Sequence, residues 1–231
     1  MDQEFVATAS LLAEPTRAVM LLKLLSGKAL PAGELAAAAN ISPQTASGHL
    51  TKLTQARLIE VESQGRHRYY RLASAEVANA LEAMLVLLPG TRNERKQATP
   101  PKVGTLAYAR TCYSHLAGWL GVRIVDGLQA NGLLSPAENK VFFVTEAGRA
   151  WFDGLGVPVP KHHTIATSKD ARQCLDWTER RPHLAGALGV ALYRRLVDLG
   201  WLATLPHTRA VRITLRGKEE LWNQLRVASG L

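Results

Sequence analysis

The stretch that most restricts the fold lies early in the chain, where a strong helix start is followed by two strand-like runs. Ser42 is a good N-cap residue and Pro43 fits the first helical position, which predicts a helix through Gln44–Ala56. Leu58–Glu62 and His67–Leu72 then alternate apolar and polar residues, as the strands of a β-hairpin do. A helix that leads directly into a hairpin is therefore expected to anchor the N-terminal part of the fold.

Helical patterns flank this stretch on both sides. A short apolar helix is predicted over Phe5–Ala13, and Pro15 is well placed to open a second helix. An alanine-rich third helix is expected over Pro31–Ala39, and a last helix over Ser74–Leu88. The run from Pro89 to Gly104 contains proline, glycine and several cations, which is typical of a linker.

Helical spacing divides the Gln44–Ala56 helix into an apolar face and a polar face. Ala46, Leu50 and Leu53 recur on one side and are predicted to face the core. Glutamine can make paired hydrogen bonds to adenine, and serine or threonine can contact base edges. The opposite face therefore predicts a DNA-reading surface, made of Gln44, Thr45, Ser47, Gly48 and Lys52.

Further cations and donors extend this surface. Arg66 and Arg68 lie at the tip of the predicted hairpin. These two residues and Lys52 suit contact with phosphates, and the hairpin tip could instead enter the minor groove. Ser42 at the helix start and His49 within the helix complete the predicted DNA-binding set. For His49, Arg66 and Arg68 the competing interpretation is an ordinary solvated surface.

Together these residues resemble the ArsR/SmtB-type winged-helix repressors. The resemblance covers about residues 5–88 and implies a winged helix-turn-helix domain that forms a homodimer through its first and last helices. It also implies a roughly palindromic double-stranded DNA operator and repression that a signal relieves. The motifs that carry it are Leu11-x-x-Glu14-Pro15-Thr16-Arg17, Glu34-Leu35-Ala36, Ser47-x-His49-Leu50 and Gly65-Arg66-x-Arg68-Tyr69-Tyr70.

The chain departs from this family in three ways. Many metal sensors of the family carry Cys-x-Cys before the reading helix, but Ala29–Glu34 has no thiol. The predicted last helix, Ser74–Leu88, has neither histidine nor aspartate, so the second common metal site is missing as well. The remaining residues form an additional C-terminal region. Metal sensing at the family's usual places is therefore not expected.

Composition supports a polyanionic partner. The net charge is +9 and the isoelectric point is near 9.9, although residues 1–89 are neutral overall. Two isolated cysteines fit a reducing compartment, the N-terminus lacks a basic signal-peptide region, and no apolar run approaches the ~20 residues of a membrane span. These features predict a cytoplasmic protein without a membrane partner. No phosphate-binding loop, His-Glu-x-x-His or Gly-x-Ser-x-Gly motif occurs, so an enzyme is not expected.

The C-terminal part contains an internal repeat. His115-Leu116-Ala117-Gly118 returns as His183-Leu184-Ala185-Gly186, and later positions recur in register. Each copy is predicted to form helix, turn, helix, β-hairpin (Lys140–Val144 or Val211–Thr214) and closing helix. This order predicts two degenerate winged-helix-like repeats at about residues 105–157 and 172–229.

Both cysteines lie near the repeated histidines. If Cys112 and His115 lie one helical turn apart, their side chains face the same way, and a pseudo-two-fold axis could bring Cys174 and His183 to them. Two cysteines and two histidines suit zinc or another thiophilic metal. A redox or electrophile switch, an organic ligand held by Trp119, Trp177, Arg180 and Arg181, and purely structural roles are the alternatives.

The sequence therefore predicts a mostly α protein with small β-hairpins (α+β). Residues 1–89 are predicted to form the DNA-binding and dimerisation domain, 90–104 the linker, and 105–231 the sensor. The predicted function is a sequence-specific transcriptional regulator, a repressor whose operator binding a C-terminal signal relieves. The alternatives are a winged-helix interaction module that does not read DNA and a thiol- or metal-responsive activator.

Overall fold

The computed structural model describes residues 2–65, 67–88, 100–159 and 170–227. The predicted contact residue Arg66 and most of the predicted linker lie outside this part. The described chain divides into two compact units. Unit 1 comprises the chain up to Glu82 together with Pro206–Arg209, and unit 2 comprises Ala83–Leu205 and the chain from Ala210 onwards.

Unit 1 is built from helices and a three-stranded antiparallel sheet of order β1-β3-β2. Helix α5 begins in unit 1 and its C-terminal end belongs to unit 2. The elements are α1 (Asp2–Ala13), α2 (Pro15–Leu24), β1 (Leu30–Pro31), α3 (Ala32–Ala38), α4 (Pro43–Gln55), β2 (Ile59–Gln64), β3 (His67–Leu72) and α5 (Ala75–Leu87).

Helix α4 forms as its sequence predicts. The Ser42 side chain accepts a hydrogen bond from the Thr45 backbone N–H at 3.2 Å, and Pro43 occupies the first helical position. Ala46, Leu50 and Leu53 are buried in the core of unit 1. The cap and the apolar spacing thus fix which face of α4 points to solvent.

A short strand replaces the predicted start of the third helix. Leu30 and Pro31 pair with Tyr70 and Tyr69 of β3, and α3 begins only at Ala32. This strand pairing buries the Leu30 side chain against the hairpin. Burial through a long-range contact thus overrides the local preference for a helix that begins at Pro31.

Unit 2 contains two copies of the same element order, hairpin, helix, hairpin, helix. The first copy is β4 (Arg110–Cys112), β5 (His115–Ala117), α6 (Gly118–Ala130), β6 (Leu134–Ala137), β7 (Val141–Val144) and α7 (Glu146–Gly154). The second copy is β8 (Arg172–Leu175), β9 (Pro182–Ala185), α8 (Gly186–Asp198), β10 (Leu202–Thr204), β11 (Val211–Ile213) and α9 (Leu215–Leu225). Strands β6-β7-β8-β9 form one antiparallel sheet, which joins the first copy to the second.

The helix predicted at the start of each copy is wrong, because the chain there forms a β-hairpin. Gly118 and Gly186 adopt φ angles of 82° and 76° at the start of the helices that follow. A right-handed helix cannot run through such a residue, so the preceding His-Leu-Ala segments are extended. The later helix, hairpin and closing helix of each copy agree with the prediction.

No single helix of the described chain is long and apolar enough to span a membrane; α1 and α2 meet the length and composition test only as a pair bent by 85°.

Close backbone approaches at glycines position the closing helices. A Cβ atom at Gly148 would lie 2.0 Å from the Leu133 carbonyl oxygen, and one at Gly217 would lie 2.0 Å from the Trp201 carbonyl oxygen. Helices α7 and α9 can therefore follow their hairpins only if these residues have no side chain.

Gly148→Ala is expected to lower the free energy of unfolding by about 1–3 kcal/mol, since the added methyl group must displace backbone. Gly154→Ala, in the same helix, is the matched control, because a Cβ there meets open space. The control should be neutral or stabilising by about 0.4–1 kcal/mol. Urea unfolding of the two variants measures the difference, and equal midpoints would contradict this packing argument.

Candidate functional sites

Helix α4 presents a polar face to solvent. Gln44, Thr45, Ser47, Gly48 and Lys52 are all exposed. Ser42, at the N-terminal end of the same helix, is exposed as well, and its hydroxyl lies 2.9 Å from that of Thr45. The structure therefore brings six of the predicted DNA-binding residues onto one face or end of a single rigid element.

Packing within the described part of the chain does not require a glycine at position 48. Gly48 lies in the interior of α4, where glycine costs about 0.5–1 kcal/mol relative to alanine, and a Cβ there would meet no other atom within 4 Å. A residue without a side chain on an exposed helix face allows another molecule to approach the backbone closely.

His49 occupies a different environment from its neighbours on α4. Its side chain is only 19% exposed, and its Nδ1 lies 3.3 Å from a carboxylate oxygen of Glu14. Glu14 in turn caps α2 by accepting hydrogen bonds from the backbone of Thr16 and Arg17. The ring is thus held between α4 and the start of α2, which favours a structural role over a phosphate contact.

The β2–β3 hairpin carries an exposed cation near its tip. Arg68 is exposed and lies opposite Ser63 in the strand register, while His67 pairs with Gln64 at the last described position. Arg71, further from the tip, is engaged by Glu60 at 2.6 Å. Arg68 is therefore the hairpin cation that the structure leaves at the surface near the tip.

A second candidate site lies within unit 2. The ligand-type atoms of Cys112, His115, Cys174 and His183 all lie within 4.8 Å of one another. The two histidines are buried and the two cysteines are partly buried. The Nε2 atoms of His115 and His183 are 3.1 Å apart, and the two rings stack with their centroids 5.0 Å apart.

The hairpins, and not a helical turn, bring these residues together. Cys112 and His115 are directly opposite each other in the β4–β5 pair, and Cys174 and His183 are directly opposite in the β8–β9 pair. The prediction that Cys112 and His115 share a helical turn is wrong, although both side chains do converge. Each copy thus contributes one cysteine and one histidine from equivalent cross-strand positions.

A buried ion pair next to this cluster was not predicted from the sequence. Asp176 is completely buried, and one of its carboxylate oxygens accepts hydrogen bonds from Arg110 at 2.9 Å and from the Gly118 N–H at 2.7 Å. The other oxygen accepts from the hydroxyl and N–H of Thr178. Burial raises the pKa of Asp176, but the Arg110 charge and these hydrogen bonds outweigh it and lower the pKa to about 2.

The same carboxylate faces the ligand cluster. Asp176 Oδ2 lies 3.7 Å from His183 Nδ1, which is buried and has no hydrogen-bond partner. The Cys112 thiol interacts with Cys174, and this contact together with burial raises the pKa of Cys112 to about 12. The thiol of Cys112 is therefore protonated at neutral pH, which disfavours an exposed reactive thiolate.

The four residues predicted as candidates for an organic ligand site each contact other residues of the protein. Trp119 is buried against Tyr108, and Arg110 lies over the Trp177 ring at 4.9 Å from its centroid. Arg181 forms an ion pair with Asp126. Arg180 donates to backbone carbonyl oxygens at the C-terminal end of α5, at 2.6 Å for Val86.

Comparison with known proteins gives the class of protein. Residues 12–62 match the family model described as a helix-turn-helix domain. This range contains α2 to α4 and most of β2, and so includes the polar face of α4. This part of the chain is therefore a helix-turn-helix domain.

A relative that aligns with nearly the whole chain, and so with both units, gives the family. The chain is 44% identical over 218 residues to the HTH-type transcriptional regulator YdfF of Bacillus subtilis (strain 168), which covers 94% of this chain and 95% of the relative. The chain thus belongs to the family of HTH-type transcriptional regulators that includes YdfF. The predicted class, a transcriptional regulator, is confirmed.

Two solved structures each resemble about a third of the chain. The homodimeric winged helix-turn-helix DNA-binding domain of Mb0332 from Mycobacterium bovis is 27% identical, with a TM-score of 0.35, and covers 36% of this chain and 77% of the domain. The cadmium sensor CMTR of Mycobacterium tuberculosis is 35% identical, with a TM-score of 0.31, and covers 36% of this chain and 84% of its own.

Proposed function

We propose that this regulator is a cytoplasmic, homodimeric repressor that binds a roughly palindromic operator and is released by a signal received in unit 2. DNA binding is supported by one observation above all, which is that α4 of the helix-turn-helix domain exposes a polar face. In this arrangement α4 enters the major groove, and the β2–β3 hairpin reaches the adjacent backbone or minor groove.

The residues divide into those that read sequence and those that position the protein. Gln44 can form paired hydrogen bonds to adenine, while Thr45 and Ser47 can contact base edges. Lys52 and Arg68 bind phosphates, and Gly48 allows the helix backbone to lie close to the DNA. Arg66 joins the hairpin contacts by its place in the sequence.

Apolar surface on the two end helices of the DNA-binding part supports a homodimer. Phe5 is 75% exposed and no residue of α1 is buried, while Leu87 of α5 is 82% exposed. Exposed large apolar side chains of this kind are typical of surfaces that a partner covers. A second copy of the chain is the partner proposed, because a palindromic operator needs two copies of α4 related by a two-fold axis.

Gln44→Ala is expected to abolish most of the sequence preference, at a cost of about 1–3 kcal/mol for the preferred DNA site, because it removes a paired contact to a base. The matched control is Gln55→Ala, which changes an exposed glutamine at the far end of the same helix. Selection of duplexes from a random pool, followed by fluorescence anisotropy at several salt concentrations, measures both effects. If the wild-type protein enriches no sequence, the protein is an interaction module and the proposal falls.

Phe5→Glu is expected to shift the protein from dimer to monomer, since it places a charge in the apolar surface of α1. Gln3→Glu adds the same charge to an exposed polar position of the same helix and should leave the dimer intact. Light scattering across a dilution series gives the molecular mass of each variant. A monomeric wild type, or a Phe5→Glu variant that remains dimeric, would contradict this interface.

A further inference from the structure

We infer that Cys112, His115, Cys174 and His183 form a tetrahedral site for a thiophilic d10 metal ion, with Zn²⁺ as the metal that the donor set fits best. The site lies within unit 2 and is separate from the DNA-reading face of α4. Nothing in the metal assignment depends on the proposed function.

The distances match a tetrahedral ion. Zinc lies about 2.0–2.1 Å from a histidine nitrogen and about 2.3 Å from a thiolate, so the nitrogens of a tetrahedral site are about 3.3 Å apart and the sulfurs about 3.8 Å. The His115 and His183 Nε2 atoms are 3.1 Å apart, and all four ligand atoms lie within 4.8 Å of one another. Small side-chain rotations suffice to close the site around an ion.

The two histidines face each other through the ring nitrogens that a metal ion would use. Their Nε2 atoms, 3.1 Å apart, can share one N–H as a hydrogen bond, with one ring as donor and the other as acceptor. A metal ion accepts both lone pairs, and each ring then keeps its proton on Nδ1. The two thiols release their protons to solvent and bind as thiolates, which neutralise the charge of Zn²⁺.

The surroundings supply an outer partner for a metal-bound histidine. With Nε2 on the metal, the Nδ1–H of His183 points into a region where the Asp176 carboxylate lies 3.7 Å away. Carboxylates commonly hold the second ring nitrogen of zinc-bound histidines. The Arg110 guanidinium and the Gly118 and Thr178 donors keep that carboxylate ionised and fixed.

The structure of unit 2 brings the ligands of the two copies together. A Cβ at Gly121 of α6 would lie 3.6 Å from His183 Cβ, and a Cβ at Gly189 of α8 would lie 3.5 Å from His115 Cβ. The helix of each copy therefore packs against the ligand strand of the other copy. A metal ion at this point would cross-link the two copies.

The metal-free full-length protein titrated with Co²⁺ is expected to develop thiolate-to-cobalt charge transfer in the ultraviolet and the strong visible bands of tetrahedral cobalt. One ion per chain should saturate the signal, and Zn²⁺ should displace it. Cys112→Ser and Cys174→Ser should each weaken Co²⁺ binding by more than the about 10- to 100-fold that loss of an outer partner costs. His67→Gln, an exposed histidine of the β2–β3 hairpin, is the control and should behave as wild type.

A wild-type protein without the cobalt–thiolate signal would overturn the site, as would a signal that survives both cysteine substitutions. Thermal unfolding of the wild-type protein gives a second test that no variant can confound. Zn²⁺ in excess should raise its melting temperature, because an ion that binds only the folded state stabilises it by mass action. An unchanged melting temperature would count against the site.

The loop between two of the ligands also reaches α5, which suggests how the site acts on the DNA-binding part. Cys174 and His183 are nine positions apart, whereas Cys112 and His115 are three apart, and the longer loop carries Asp176 and Arg180. Arg180 donates hydrogen bonds to the carbonyl oxygens of Val86 and Leu88 at the end of α5. Ordering of this loop by a metal can therefore be transmitted to the helix that continues into unit 1.

This regulatory role rests on the proposed function. Zn²⁺ is expected to weaken operator binding of the wild type by at least about 5-fold, the lower range of allosteric coupling. Arg180→Ala should keep the cobalt spectrum but lose the effect of Zn²⁺ on DNA affinity. Arg181→Ala, the adjacent arginine that pairs with Asp126, is the matched control and should respond as wild type.

The two measurements separate the two hypotheses. A variant Arg180→Ala that still responds to Zn²⁺ would overturn the coupling route, while the cobalt spectrum alone decides whether the metal site exists. A wild-type protein that binds the metal but no specific DNA would refute the proposed function and leave the site intact.

Discussion

The fully buried Asp176 carboxylate is the interaction on which the arrangement of unit 2 depends. It holds Arg110 of β4, the first N–H of α6 and the loop that follows β8, so one charged group links the ligand hairpins of both copies. Such a charge is tolerated because Arg110 and several N–H and O–H donors bind it, and removal of one partner of a buried pair costs about 3–5 kcal/mol. The rest of the ligand cluster is positioned around this fixed anion.

Paired glycines provide the second constraint in unit 2. Gly121 and Gly189 allow each helix to approach the opposite ligand strand, and Gly148 and Gly217 allow each closing helix to follow its hairpin. These positions correspond between the two copies of the element order, so the same close approaches occur twice. The approaches of α6 and α8 to the opposite strands bring the equivalent cysteines and histidines of the two copies together.

The local chemistry of the sequence predicted some elements and missed others. The cap at Ser42 and the spacing of Ala46, Leu50 and Leu53 were sufficient to predict α4 and its solvent face, because both signals are local. The hairpin that holds Cys112 and His115 was mistaken for a helical turn, and a helix was wrongly expected at the start of each copy, since the short His-Leu-Ala segments have no distinct period. Asp176 gave no signal, because its partner Arg110 is far away in the sequence.

The ligand set itself could be predicted because residue identity survives an error in secondary structure. Cysteine and histidine lie side by side across a hairpin just as they do on a helical turn, so the convergence of Cys112 with His115 did not depend on which element formed. The distinction between a metal site and a redox pair, however, depends on three-dimensional facts. A metal site uses both Nε2 atoms, which lie 3.1 Å apart, as ligands, whereas oxidation of Cys112 and Cys174 requires neither histidine.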